Sequence, residues 1–397
     1  MQGKSYTYYK EIFNGKPMPF AFVDLDLLDE NIKQIKPRAK GKKIRVASKS
    51  VRCAELLKRI LAADSSYQGI MTYSAQETIW LSEKGFDDLL IGYPVWNAQE
   101  IESLCKEINH GKSITLMVDL KEHILHLNTI GKSCNTIIPI CIDIDMTSVF
   151  PGVRFGVWRS SITNVKQALE LHAVIKSAPF VRLDGVMGYE AAIAGVGDAV
   201  SGKTMQNLIV QFFKKNSARE IAKRRGDIVA VLKGDGAQLR FINGGGTGSL
   251  EWTTGEDCIT EVTVGSGFYA SGLFDNYTNF KHQPAAAFAI EITRHPAENI
   301  YTCSGGGYIA SGGIGADKQP KPYLPEGIEL IVQEGTGEVQ TPIINKTSEK
   351  LQVGDPVFFR HAKAGELCER FNSLLLVSGG KIVGELKTYR GEGQCFL

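Results

Sequence analysis

RFINGGGTGS (240–249) carries a short apolar run straight into three glycines, a threonine and a serine. After a strand, successive backbone N–H groups and the Thr247 hydroxyl can cradle a phosphate. The same residues would also make a tight surface turn. The segment is not a Walker A loop, since no Lys-Ser/Thr pair follows, and it lacks the last glycine of GxGxxG. Its place in the chain therefore decides what it means.

Apolar runs precede it at FAFVDLD (20–26), IRVAS (44–48), YQGIMTY (67–73), DLLIGY (88–93), ITLMVD (114–119), IIPICIDID (137–145) and LDGVMGYE (183–190). Runs this short, apolar and rich in Val and Ile suggest strands buried on both faces. Between them lie segments with helical spacing: CAELLKRILAA (53–63), AQETIWLSEKG (75–85) behind Ser74 as N-cap, and MQNLIVQFFKKNSAREIAKRR (205–225). With RFING (240–244) as the eighth strand, the alternation gives an α/β fold, a (β/α)8 TIM barrel. A doubly wound open sheet is the alternative. In a barrel the active site lies at the C-terminal strand ends, and phosphate often binds after strands seven and eight. EVTVGSG (261–267) offers Ser266 and Gly267 for the same phosphate.

Past residue 275 helical periodicity gives way to short strands and turns: AAFAIEITRH (286–295), IELIVQE (328–334), DPVFFRH (355–361) and SLLLVSGGKIVGEL (373–386). The expected domains are a barrel over 1–275, whose first 18 or so residues could join the second domain, and an all-β domain over 276–397.

Composition narrows the class. Lys+Arg 45 against Asp+Glu 43 gives a formal charge of +2, which predicts no nucleic-acid or membrane field. The basic run KKNSAREIAKRR (214–225) reads as a solvated helix face, without aromatics to stack bases. The eight cysteines form no CxxC pair, and the N-terminus has no signal-peptide core, so a cytoplasmic enzyme with reduced thiols is expected. Of the 42 glycines, ten fall in residues 1–180 and thirty-two after them, with no short repeat period. That skew marks turns and a site built from main chain.

At the strand ends stand Lys49, Asp143, Asp145, Arg154, Tyr189 and Glu190. Lys49 is placed to form a Schiff base with a carbonyl, or is a surface lysine in a loop. Asp145 and Arg154 read equally as a structural ion pair or as catalytic groups.

Taken together, VASKS, RFGV, NGGGTGS and EVTVGSG resemble the fold-type III pyridoxal-phosphate enzymes, in particular the D-threonine aldolase and D-serine dehydratase group. The resemblance runs from VDLDLLDENI (23–32) to HAKAGELCERFN (361–372). It implies an alanine-racemase-like barrel with a C-terminal β domain, assembled as a homodimer. It makes Lys49 the Schiff-base residue and puts Arg154 near the cofactor's phenolic oxygen. Gly245, Gly246, Thr247, Ser266 and Gly267 become its phosphate contacts, with Tyr189 a further cofactor contact. In this group a divalent metal, Mn or Zn, is often held by a histidine and a Cys or Asp two positions later. Here the segment reads His361-Ala362-Lys363, so His361 has lost its usual second ligand. The Lys363 ammonium then becomes a candidate to replace the cation.

The implied reaction is retro-aldol cleavage of a β-hydroxy D-amino acid, with His361 as candidate base for the hydroxyl proton. Elimination to a 2-oxo acid and ammonia is the alternative. Racemization would need a second base such as Tyr301, Tyr308 or Tyr323. A non-catalytic pyridoxal-phosphate carrier would not need the β domain, and a phosphate-sugar barrel enzyme would lack the cofactor.

Overall fold

A computed structural model describes residues 4–313 and 315–396. Eight parallel strands close a barrel: Lys43–Ala47, Tyr67–Thr72, Leu89–Ile91, Ile114–Val118, Ile138–Asp143, Val181–Gly188, Phe241–Gly244 and Glu261–Val264. The last pairs with the first, Thr263 opposite Arg45 and Val264 opposite Val46, which removes any free edge.

The expected strand at Phe20–Asp24 is not among them. It pairs antiparallel with Ala286–Ala297 and parallel with Ser373–Ser378, in the middle of a second, mostly antiparallel sheet. Glu261–Val264 takes the eighth place. The physical reason is plain: all five residues of FAFVD are buried, so its run is as apolar as a barrel strand's.

By compactness the chain divides into two units. One holds Ile35–Lys49 and Leu57–Gly265, with the barrel; the other holds the N-terminal segment to Gln34, Ser50–Leu56 and Ser266–Cys395, with the sheet. In the sheet unit Tyr9, Phe13, Phe22 and Phe358 form an aromatic core, and the Tyr9 hydroxyl donates to Asp24 Oδ2 at 2.9 Å. Asp24 Oδ1 also accepts the Asp26 and Leu27 amides, which starts the helix Leu25–Arg38.

The barrel interior is layered. At the N-terminal end Arg45, fully buried, donates to Glu261 Oε1 at 2.7 Å and to the Asp88 carbonyl at 2.6 Å. Arg240 joins Asp184 and Asp88 in the same network. Above it Leu90, Met117, Cys141, Met187 and Phe241 make an apolar plug. Because side chains alternate along a strand, Asp119, Asp143 and Tyr189, two positions beyond Met117, Cys141 and Met187, face the same interior nearer the C-terminal mouth.

The helix Thr204–Gly234 bears out the solvated reading of residues 214–225 only in part: Lys215, Arg219 and Lys223 are exposed, and the other three basic residues are not. Lys214 is buried against Asp198 at 2.9 Å, Arg224 donates to the Asp145 and Thr147 carbonyls, and Arg225 is fully buried among carboxylates. A charge run looks solvated only until its counter-charges, distant in sequence, fold against it. Ser74 does cap Ala75–Glu83, accepting the Glu77 amide at 3.1 Å. Among the described residues no helix is long and apolar enough to cross a membrane.

Gly185 leaves the plug its room: a Cβ there would stand 2.4 Å from the Phe241 ring. Gly185→Ala should therefore cost about 1–3 kcal/mol of stability in denaturant unfolding. Phe241→Leu in the same chain should recover part of it, and strictly additive losses would refute this steric account.

Candidate active site

Lys49 lies just past the first barrel strand, in the helical turn Ser48–Ser50, whose Ser48 hydroxyl donates to the Met71 carbonyl at 3.0 Å. Its side chain is exposed, and Nζ is 3.3 Å from the Tyr93 hydroxyl. Tyr93 follows the third strand. Burial pushes its pKa up, but the charges of Lys49 and Arg159 outweigh that and the net shift is downward from 10.0.

Arg159 is the arginine of this group. Its guanidinium lies 5.0 Å from the Tyr93 ring centre and 5.4 Å from that of Tyr189. The chain around it is clipped to two strand ends: Ser160 Oγ donates to the Asp143 carbonyl at 2.6 Å, and Ser161 Oγ to the Asp119 carbonyl at 2.8 Å. Asp143 is buried, with Oδ2 4.0 Å from Arg159 Nε and Oδ1 lacking a hydrogen-bond partner. Burial pushes its pKa up to about 7; Asp119 and Asp145 add to the rise while Arg159 opposes it.

Arg154 makes different contacts. It pairs with Asp145 at 3.3 Å and stacks at 3.7 Å over the exposed Trp158. Asp145 and Arg154 thus form the ion pair that one of their two readings describes.

The glycine loop follows Phe241–Gly244. Gly245 has φ +84°, which favours glycine, and its amide donates to Glu190 Oε2 at 2.7 Å. The Gly246 amide donates to Ser249 Oγ at 3.0 Å. A Cβ on Gly246 would meet Tyr189 at 3.1 Å and Ala194 at 3.0 Å, so the loop lies flush against the tyrosine. Thr247 is buried, and its carbonyl accepts from Arg38. Lys49, Tyr189, Gly245, Gly246 and Thr247 thus share the barrel unit with Tyr93, Arg159 and Asp143.

Ser266, Gly267 and His361 belong to the sheet unit. Ser266 and Gly267 open the turn Ser266–Tyr269, with Ser266 Oγ 3.2 Å from Ser50 Oγ. His361 is fully buried and neither ring nitrogen has a hydrogen-bond partner. Burial and the Arg360 charge push its pKa down to about 3, against a smaller opposing pull from the Ala364 backbone. Lys363 Nζ donates to the Ser311 carbonyl at 3.3 Å, while the Cys368 thiol is directed to the Val51 carbonyl at 3.4 Å. Glu366 Oε1 accepts from Ser311. Among the described residues no three His, Cys, Asp or Glu side chains form a group that could hold a metal ion.

Tyr93 and Arg159 escaped the sequence reading. Tyr93 could have been found as the last residue of DLLIGY, a strand end; nothing separates Arg159 from Arg154 without the fold.

An amine, two phenols, a guanidinium and a glycine-walled loop at the C-terminal ends of a parallel barrel define a barrel with a small-molecule site. Residues 23–270 match the alanine racemase N-terminal domain, and the chain belongs to that family, the fold-type III group its motifs resemble. A 3-hydroxy-D-aspartate aldolase from Paracoccus denitrificans (strain Pd 1222) is 22% identical over 250 residues, 62% of this chain and 59% of the relative. The chain thus matches about three-fifths of that relative's length. The structure of D-threonine aldolase from Filomicrobium marinum superposes with TM-score 0.79 at 17% identity, covering 94% of this chain and 95% of the other. D-threo-3-hydroxyaspartate dehydratase from Delftia sp. HT23 gives 0.77 at 16%, covering 97% and 99%.

Asp143 yields a pH test. An unfolded aspartate titrates near ~3.9, whereas the folded carboxyl holds its proton to about 7. The stability linked to that proton is complete below the unfolded pKa and is lost as pH rises through the folded one. Asp143→Asn escapes this loss. Its unfolding midpoint relative to the parent should climb from about pH 4 to about pH 7 and level off above, and a constant difference would refute the shift.

Proposed function

We propose that the protein is a pyridoxal-phosphate-dependent lyase that cleaves β-hydroxy D-amino acids by a retro-aldol reaction. The observation that carries this is the Lys49 amine at the barrel mouth, 3.3 Å from the Tyr93 hydroxyl, in a unit whose glycine loop lies flush against Tyr189. The activities in the relatives' names supply the reaction class.

The site residues fit the cofactor. Lys49 would carry it covalently, and the loop Gly245–Gly246–Thr247 would receive its phosphate. Two loop amides are engaged by Glu190 and Ser249, so the loop's fixed shape and the Thr247 side are its main contribution. When bound, the cofactor supplies an electron sink for bond cleavage at the substrate's α-carbon.

The chain's own groups must then move protons. Lys49 Nζ, once free, takes or returns a proton at the α-carbon, and Tyr93, its pKa lowered by neighbouring cations, is suited to exchange protons with it. His361 is our candidate for the hydroxyl proton; burial disfavours the imidazolium that accepting it creates, so the transfer relies on the negative charge developing on the substrate. Cleavage needs that proton removed, whereas elimination must expel the oxygen and gains from a Lewis acid. A lysine at the second ligand position favours the aldolase over the dehydratase. On this reading the Lys363 ammonium stands in for the cation.

Purified protein should release glycine and an aldehyde from D-threonine, D-serine or 3-hydroxy-D-aspartate. Predominant 2-oxo acid and ammonia would make it a dehydratase instead. Lys49→Ala should abolish both the cofactor absorbance and turnover, and a variant that still turns over would sink the assignment. Chelation should leave turnover unchanged; a requirement for stoichiometric Mn²⁺ or Zn²⁺ would rule out the Lys363 role.

A further inference from the structure

In the barrel unit the helix Ala98–Asn109 follows the strand Leu89–Ile91, and the helix Lys121–Ser133 follows Ile114–Val118. The first carries Cys105 and the second ends on Cys134, and the two thiols meet. The side-chain hydrogen-bond partners of the Cys105 thiol are the Thr136 hydroxyl and the Cys134 thiol. Backbone contacts bring the same surfaces together. Asn109, one turn on from Cys105, donates from Nδ2 to the Cys134 carbonyl at 3.4 Å, and the Thr136 hydroxyl donates to that carbonyl at 3.1 Å. The Cys134 amide donates to the Ile130 carbonyl at 2.9 Å, and its sulfur lies 3.9 Å from Ser133 Oγ. Cys134 is thus held at the end of its helix with its thiol against Cys105.

The two thiols differ in access. Cys134 is half-buried, whereas Cys105 is buried. Burial pushes the Cys105 pKa up to about 12, and the charge of the neighbouring Cys134 thiolate is the next contribution to the rise. A small oxidant therefore reaches Cys134 first. Once Cys134 carries a neutral adduct, its charge no longer opposes ionisation of Cys105, and the buried thiol faces a sulfur it can attack. Cys53 and Cys368 also act on each other electrostatically, but both are buried, so neither offers an oxidant that first step.

We propose that Cys105 and Cys134 are a modification site, a thiol pair that low-molecular-weight disulfides oxidise reversibly to a bond joining the two helices. The Cys134 thiolate attacks one sulfur of the oxidant, the oxidant's S–S bond breaks, and one thiol leaves with the electron pair. That gives a mixed disulfide on Cys134. Cys105, its proton lost to solvent, then attacks the Cys134 sulfur and expels the second thiol. Two protein thiols give up two electrons and two protons, and one oxidant disulfide becomes two thiols. In a reducing compartment the pair rests as thiols. Oxidised, it ties the helix that follows Tyr93 to the turn that leads into Ile138–Asp143. Tyr93 and Asp143 both stand at the barrel mouth, so the bond braces the scaffold behind two of the site's side chains.

The test incubates the native protein with oxidised glutathione, alkylates the remaining thiols, and reads the digest by mass spectrometry without reduction. The parent should give a peptide pair linked through Cys105 and Cys134, lighter by two hydrogens than the two reduced peptides together. Cys105→Ser should stop at the glutathione adduct on Cys134, and Cys134→Ser should leave Cys105 a free thiol. The linked protein should unfold several degrees above the reduced one, because the bond closes a loop in the unfolded chain, and dithiothreitol should restore the starting midpoint. A glutathione adduct that persists on Cys134 of the parent without the linked peptide would overturn the proposal. So would a Cys134 that stays unmodified. Linkage of Cys105 to several cysteines alike would overturn it too, since that marks reaction of unfolded chains and not of a native pair.

Discussion

Arg225 is fully buried, and the shape of the glycine loop follows from how its charge is met. Removing a cation from water costs several kcal/mol unless carboxylates and further hydrogen bonds surround it. Here Glu190 and Glu256 supply the charge, and the Gly188 carbonyl accepts a bond at 3.0 Å. Two carboxylates on one cation compete: burial pushes the Glu256 pKa up to about 7, Glu190 adds to the rise, and Arg225 opposes it. The second oxygen of Glu190 then takes the Gly245 amide. One buried charge thereby ties the sixth barrel strand to the loop after the seventh. Breaking a buried pair by removing one partner costs roughly 3–5 kcal/mol, so the loop is as fixed as the ion group beneath it.

The three glycines in a row acquire three separate reasons. A Cβ on Gly244 would press to 2.9 Å on the Arg225 guanidinium; Gly245 turns through positive φ; Gly246 gives way to Tyr189. As a sequence motif they suggest a phosphate cradle of free amides. As a structure they are as much the space required by Arg225, upstream in the long helix, and by Tyr189, past the end of another strand.

That difference sets how far the sequence could be read. Strand-helix alternation, the Ser74 cap and the loop position were legible because they depend on residues near one another in the chain. Phe20–Asp24 was legible as a buried strand and misassigned to the barrel, because burial on both faces carries no information about which sheet does the burying. The basic run 214–225 was legible only in part for a related reason: Asp198, Glu190 and Glu256 answer Lys214 and Arg225 from other loops, while Lys215, Arg219 and Lys223 stay exposed. Arg154 and Arg159 are five positions apart, and composition does not tell them apart. Their fates separate when Ser160 and Ser161 pin one side of the segment to strand ends while Arg154 turns to Asp145.

The barrel's interior is also polar in an ordered way. At its N-terminal end Arg45 and Arg240 are matched with Glu261, Asp88 and Asp184, hydrogen-bonded throughout, and closed over by the apolar plug around Phe241. Charge there is spent on structure. At the mouth the balance differs, for Lys49 and Arg159 face phenols, and the nearby Asp143 carboxyl is one that burial disposes to keep its proton. Low-dielectric walls focus whatever field remains uncancelled. The same alternation that fills the barrel's middle with Met, Cys and Leu places these groups two residues further on, where the strands end and solvent begins. Lys49 and Arg159 thus set positive charge at the mouth above a base whose charges are matched, which is the polarity that the phosphate of the proposed cofactor requires.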